Sequence, residues 1–417
     1  MRMSRSLPRL RGAGFRRFGI VLTAAALVAA GCGAPGGDKK NTTSDAGAKV
    51  PDKPSAPVTL TVFDVAGNLQ LSQGIFDNFV KEHSDIVSRV VTQTGKAPDL
   101  AGKIKAQQDA NHLDIDLVLT GTDGLSAGIS QGLWAKLTPD YDSKLPKLSE
   151  IYTPQASKMQ QLAEGYGVEI VEYPSGPETE YNPKTVATPP KTPQELLDWA
   201  KAHPNKFMYA QPKNSGPGRT FLMGLPYILG DKDPKDPVNG WDKTWAYLKE
   251  LNQYIRYYPT GTSETMTNLA NGTVDIIAST TGWDINPRAL GTVPADMKIA
   301  TFDGFHWVND AQYVVVPKGV STDKLSAILQ LLKYMLQPKQ QAITFDKGYF
   351  YPGPAVKGVT IDMAPQASQD IIAKFGRPEY ADLIANNPHE TSLPAADQVK
   401  AFDIWDRTVP GDKVGKK

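Results

Sequence analysis

Two stretches carry residue types and spacings suited to ligand chemistry. One is Trp283-Asp284, where an indole beside a carboxylate suits an ammonium group. The other is Asn214-Ser215-Gly216-Pro217-Gly218-Arg219, which offers backbone amides at a helix start and suits a carboxylate, phosphate or phosphonate. The plain alternative for the second is a capped loop with Arg219 on an exposed face. Gly121-Thr122-Asp123-Gly124 reads as a helix cap, a ligand contact, or both. Bond-making chemistry finds no support. The chain has no Gly-x-Ser-x-Gly elbow, His-Glu-x-x-His, P-loop or dinucleotide glycine fingerprint. Histidines 83, 112, 203, 306 and 389 lack ligand spacing, so neither a metal nor a cofactor is expected. A secreted carbohydrate-active enzyme with an acid pair among the 44 carboxylates stays as a minor alternative.

These residues need a scaffold. Val58 to Val65 alternates as a strand, and Leu71, Ile75, Phe76, Phe79 and Val80 follow at helical spacing. A helix around Leu100 to Ala110 leads into a strand at Asp114 to Thr120. Thr192-Pro193-Gln194-Glu195 is a capping box that opens a helix. Short strands at Lys206–Ala210, Thr273–Thr280 and Gln312–Val316 alternate with helices near Thr220, at Trp241–Tyr254 and at Asp323–Leu336. That alternation places the chain in the α/β class. A length of 417 residues suits two lobes. A net charge of +1 leaves no basic field for nucleic acid.

The amino terminus reads as a leader. Arg2, Arg5, Arg9, Arg11, Arg16 and Arg17 precede an apolar run from Gly19 to Ala30. Twelve helical residues rise about 18 Å, short of a hydrocarbon core of about 30 Å, as in a secretory signal. Ala29-Ala30-Gly31-Cys32 resembles the lipobox of bacterial lipoproteins, and Cys32 is the only cysteine. Residues 1–31 are therefore expected to be a lipoprotein signal peptide. Cys32 is the expected lipidation site, and 32–57, rich in Gly, Pro, Ser and Thr, the expected flexible tether.

The order of these parts resembles the family 1 extracellular solute-binding proteins of ATP-driven (ABC) importers, over about residues 58–410. Tyr181-Asn182-Pro183 with Pro189 to Leu197 is similar to the family's passage into its second lobe. Val316-Pro317-Lys318-Gly319, Gln337-Pro338 and Gly348-Tyr349 are similar to a later family signature. The branch resembled most holds polyamine-, iron- and thiamine-type binders. The resemblance implies a type II periplasmic-binding-protein fold of two lobes, each a mixed sheet flanked by helices, joined by a hinge. Expected boundaries are 58–165 plus about 285–345 for one lobe, and about 166–284 plus 346–410 for the other. Ligands in such sheets lie beyond the carboxyl ends of strands. That rule nominates Asp64, Gly67 and Asn68, then Thr120, Gly121, Thr122 and Asp123. It adds Asn214, Ser215, Gly216 and Arg219, then Trp283 and Asp284. Trp307, Asn309, Asp310 and Gln312 sit at the return crossover, and Tyr349 and Tyr351 follow the Gly-Tyr signature. The implied protein is no enzyme. It is a monomer, lipid-anchored outside the cytoplasm, that binds a small polar solute and delivers it to ABC permease subunits. Amine, anion and sugar remain open as its ligand, and solute sensing without transport is the alternative role.

Overall fold

The computed structural model of the chain describes residues 49–414. The signal peptide, Cys32 and most of the tether lie outside the described residues. Eleven strands fall into two sheets among them. In the larger, β1 (Val58–Asp64), β2 (Val87–Thr94) and β3 (Leu117–Thr120) run parallel. The core strand β1 carries Leu60 and Val62 with no exposure, as its β-branched alternation requires. The same sheet contains β4 (Gly167–Gly176), β9 (Trp307–Val315), β10 (Gly353–Pro354) and β11 (His389–Glu390). β9 runs antiparallel to both β3 and β4 and joins them. The smaller sheet has the order β6 (Phe207–Met208), β7 (Ile276–Ser279), β5 (Glu178–Tyr181), β8 (Lys298–Ala300).

Each sheet has its own apolar core. Leu60, Phe76, Val168, Ile328 and Tyr349 belong to the first, and Leu197, Phe221, Trp241, Ile276 and Trp405 to the second. Helix starts follow local chemistry. The Thr192 hydroxyl accepts the Glu195 amide at 3.1 Å, and the Glu195 carboxylate accepts the Lys191 amide at 2.8 Å. The helix expected near Thr220 begins at Gly216, because the Ser215 hydroxyl accepts the Gly218 amide and Pro217 fits its first turn.

Three boundaries differ from expectation. β4 pairs along most of its length with β9, so the first crossover lies at Gly176-Pro177-Glu178 and not near 166. β8 pairs with β5, so the return crossover falls between β8 and β9 and not near 285. Tyr349, Phe350, Ala355 and Val356 pack in the first core, which carries that lobe past 345. The tether also ends earlier than residue 57. Val50 is buried in the first core, and Asp323 accepts from both the amide and the hydroxyl of Ser55. Asp52 meets Lys144 at 2.6 Å.

Candidate ligand-binding site

The two sheets leave a cleft of about 270 Å³ between them. From the larger sheet come the turns after three parallel strands: Val65-Ala66-Gly67 after β1, Gly95-Lys96 after β2, and Gly121 with Asp123 after β3. From the smaller lobe come Asn214-Ser215-Gly216 and Arg219, Gly261-Thr262-Ser263, and Trp283. Tyr173 on β4 and Gln312 on β9 form the floor with Tyr349 and Phe350. Every turn in this set precedes or opens a helix, so backbone amides are concentrated around the space.

Two glycines are required by close approach. Gly67 has φ +73°, and a Cβ there would stand 2.7 Å from the Tyr349 hydroxyl. A Cβ on Gly218 would stand 2.2 Å from the Ala210 carbonyl oxygen, so a side chain would push the helix start off the segment that follows β6.

The wall is aromatic. Phe350 stacks on Tyr349 with centroids 4.1 Å apart and on Tyr173 at 5.0 Å. Trp283 meets Tyr349 edge-on at 5.5 Å and is the only one of the four rings that is not fully buried. Burial, reinforced by Asp64 and Asp346, pushes the Tyr349 hydroxyl above its ordinary pKa, so it stays protonated.

The charges are organised around Arg219. Its guanidinium is 3% exposed and lies 2.5 Å from the Asp310 carboxylate and 3.1 Å from Asp123. Burial opposes its charge, but these two acids outweigh that and hold its pKa above the usual value. Asp310 also accepts from the Tyr173 hydroxyl at 3.2 Å and the Thr122 hydroxyl at 3.3 Å. The unit therefore ties the helix Gly216–Leu229 to β4, β9 and the turn after β3. Gln312 also lines the cleft; it is 2% exposed and its Oε1 has no hydrogen-bond partner, as is true of the Nε and Nη1 of Arg219.

Of the residues nominated from sequence, Gly67, Gly121, Asp123, Asn214, Ser215, Gly216, Arg219, Trp283, Gln312 and Tyr349 line the cleft. Others stand behind it. The Asp64 carboxylate accepts the amides of Ala66, Asn68 and Leu69 and so closes the start of the helix Leu69–Glu82. Burial raises its pKa, against the pull of those amides. Asn68 and Thr120 are wholly buried, Asn68 with both amide atoms unpaired; Asp310 reaches the site through Arg219 and the Tyr173 hydroxyl, and Thr122 through Asp310. Asn309 donates to Glu172 at 2.5 Å and meets His389 at 3.0 Å, inside the crossover.

Asp284 does not pair with Trp283 toward a ligand. It takes bidentate bonds from Arg288 and Arg377 and a third donor, the Tyr380 hydroxyl, at 3.1 Å. Trp307 is a core residue whose indole N–H donates to the Leu383 carbonyl at 2.9 Å. Tyr351 stacks on Tyr380 and does not line the cleft.

Sequence reasoning passed over Gly95-Lys96, Tyr173, Gly261-Thr262-Ser263 and Phe350. The signal for the first was present. Val87 to Thr94 is rich in β-branched residues and ends on Gly95, yet its polar partners hid an exposed edge strand. Among the described residues no group of His, Cys, Asp and Glu could hold a metal ion.

The family profile described as bacterial extracellular solute-binding protein matches residues 74–374. The chain belongs to that family. Its members are extracellular solute-binding proteins. No curated protein matches the chain by sequence. Solved structures with the same fold include a periplasmic thiamin binding protein, at 18% identity and a TM-score of 0.58, which covers 87% of this chain and 99% of its own. The periplasmic binding protein AfuA from Actinobacillus pleuropneumoniae has 15% identity and a TM-score of 0.61, covering 84% and 98%. A putative spermidine/putrescine ABC transporter protein from Listeria monocytogenes has 16% identity and a TM-score of 0.56, covering 84% and 99%. The fold of this solute-binding protein is thus the two-lobed periplasmic-binding-protein fold, and its place is outside the cytoplasm.

Proposed function

We propose that this solute-binding protein is a monomeric lipoprotein, anchored through Cys32 to the outer face of the cell membrane. It captures a small polar solute in the cleft described above and hands it to the permease subunits of an ABC importer. The observation that carries the cleft assignment is the set of buried polar atoms without hydrogen-bond partners on residues that line it, the Oε1 of Gln312 and the Nε and Nη1 of Arg219. An unmet buried acceptor costs about 1–3 kcal/mol, and a solute donor removes that cost. Solute settles against the aromatic wall, and the smaller lobe closes over it by bending at Gly176-Pro177 and at the return between β8 and β9. Closure then presents the permease with a surface that the empty protein does not hold.

A thermal-shift screen of ligand-free protein over amines, anions and sugars tests this. A true ligand at 100 times its Kd stabilises by about 2.7 kcal/mol. Gln312→Leu is expected to remain folded and to lose about tenfold in affinity. Unchanged affinity in that variant would move the site elsewhere. For the anchor, mass spectrometry of the mature amino terminus from membranes should find a lipid on Cys32, and a free thiol there overturns the lipoprotein reading.

A further inference from the structure

We infer, on the reading that the cleft is the solute site, that Arg377 and Tyr380 are positioning residues for it: acting through Asp284, they fix the Trp283 ring in the cleft wall. The need for such a fixture comes from where Trp283 stands. Its ring packs partly against the first core and partly against a separate cluster that includes Met266, Leu269 and Val293, so neither body holds it alone. It is also the one wall ring left partly open, where a solute would lie against it. On one side its backbone is pinned, since the Thr281 hydroxyl donates to the Pro174 carbonyl at 3.0 Å. On the other side stands Asp284.

The Asp284 carboxylate is held by more donors than the pairing of one buried charge requires. It has about four lone-pair sites. It accepts two N–H groups from Arg288, two from Arg377 and the Tyr380 hydroxyl, at distances of 2.6–3.1 Å. Arg288 lies on the helix Ile285–Ala289, which Asp284 opens, so its bonds tighten a local turn. Arg377 and Tyr380 follow 93 and 96 residues later in the chain. That later segment is itself tied down. Arg377 donates to the Met297 carbonyl at 2.9 Å, and the Phe375 carbonyl accepts from Arg288 at 2.6 Å. Bidentate guanidinium pairs set orientation as well as energy, so the distant segment decides where Asp284 and the indole beside it stand.

The same clamp reaches the first crossover. The Tyr380 hydroxyl lies 3.2 Å from Glu178, which opens β5 directly after Gly176-Pro177. One O–H cannot donate to two acceptors, so the buried Glu178 carboxyl supplies the second proton. Burial and the Asp284 charge hold its pKa well above the ordinary value. One hydroxyl therefore joins the strand beyond the bend to the wall, and Trp283 travels with the smaller lobe.

The test follows Trp283 in the full mature protein grown with 5-fluorotryptophan. Fluorine NMR assigns its line among the seven tryptophans through Trp283→Phe. Tyr380→Phe removes one donor, and Arg377→Lys removes the bidentate fork while keeping the charge. Both should move the Trp283 line and leave the other lines in place. Leu248→Ala truncates the second core and should lower Tm at least as far without moving that line. Putrescine, acetate, inorganic phosphate and glucose are then titrated by thermal shift. For whichever stabilises the wild-type protein, both variants should weaken Kd about threefold or more. Three results overturn the positioning role and leave the cleft as the solute site: an unmoved Trp283 line, an equal movement in Leu248→Ala, or an unchanged Kd beside a moved line. No response to any probe overturns the cleft reading, and with it the role given to the clamp.

Discussion

At the scale of single residues, the site rests on one buried ion pair with two acids around one guanidinium. Burying the Arg219 guanidinium without these acids would leave an uncompensated charge at high cost. Asp310→Ala leaves Arg219 with Asp123 alone and is expected to cost about 3–5 kcal/mol in urea unfolding. Adding Arg219→Met to that variant should recover part of the loss, and a double-mutant cycle without coupling would show that the pair is not the support described. The sequence made Arg219, Asp123 and Asp310 visible as ligand candidates but not as partners of each other, because they come from three elements far apart in the chain. Asp284 shows the opposite failure. Beside Trp283 it reads as ammonium chemistry, and only the folded chain brings Arg377 and Tyr380 against it. Turn residues were easier to read, since the rule that ligands sit beyond strand ends needs only the strand and its glycine.

At the scale of elements, β4 and β5 carry an unusual load. Glu169, Glu172, Glu178 and Glu180 are all buried within the two strands that form the first crossover. Burial pushes all four carboxyls above their ordinary pKa, Glu172 to about 8. Such residues, with Pro174 and Gly176, break the apolar pattern of a central strand, and this is why the strand was not legible in the sequence while β1 was. The sign of the pH effect follows from proton counts. Between about pH 4.5 and 8 the unfolded chain has lost the Glu172 proton and the folded chain keeps it, so stability falls as pH rises. The unfolding free energy should be larger at pH 5.5 than at pH 8. Glu172→Gln keeps the shape without the proton and should flatten this slope, gaining a few kcal/mol at pH 8. A variant with the parental slope would assign the effect to the other three glutamates.

At the scale of the whole molecule, two cores and a cleft between them were legible as α/β alternation plus length. The crossovers were not, because the long strand that joins both lobes reads the same from either side. The entry of the chain was not legible either. Residues 51–57 look like more tether, rich in Pro and Ser, and what pins them is the distant helix Thr322–Met335 with Asp323 and Gln330. Removing residues before Val58 loses the burial of Val50 and a set of surface bonds worth little each. The expected cost is about 2 kcal/mol of stability, with the solute Kd unchanged within twofold; a larger change in Kd would mean that this segment takes part in closure.

The route of that segment has a mechanical corollary. All its fastenings, Asp85, Lys144, Asp323 and Gln330, belong to the larger lobe, so a force applied at the amino terminus loads that lobe and bypasses the bending points. The opposite end of the chain behaves otherwise. The helix Ala395–Thr408 bonds Ser126 of the larger lobe through Gln398 and Tyr209 of the smaller through Trp405. A surface-immobilised receptor held by its amino terminus should therefore titrate like the free one, whereas one held by its carboxy terminus would be pulled across its own mouth.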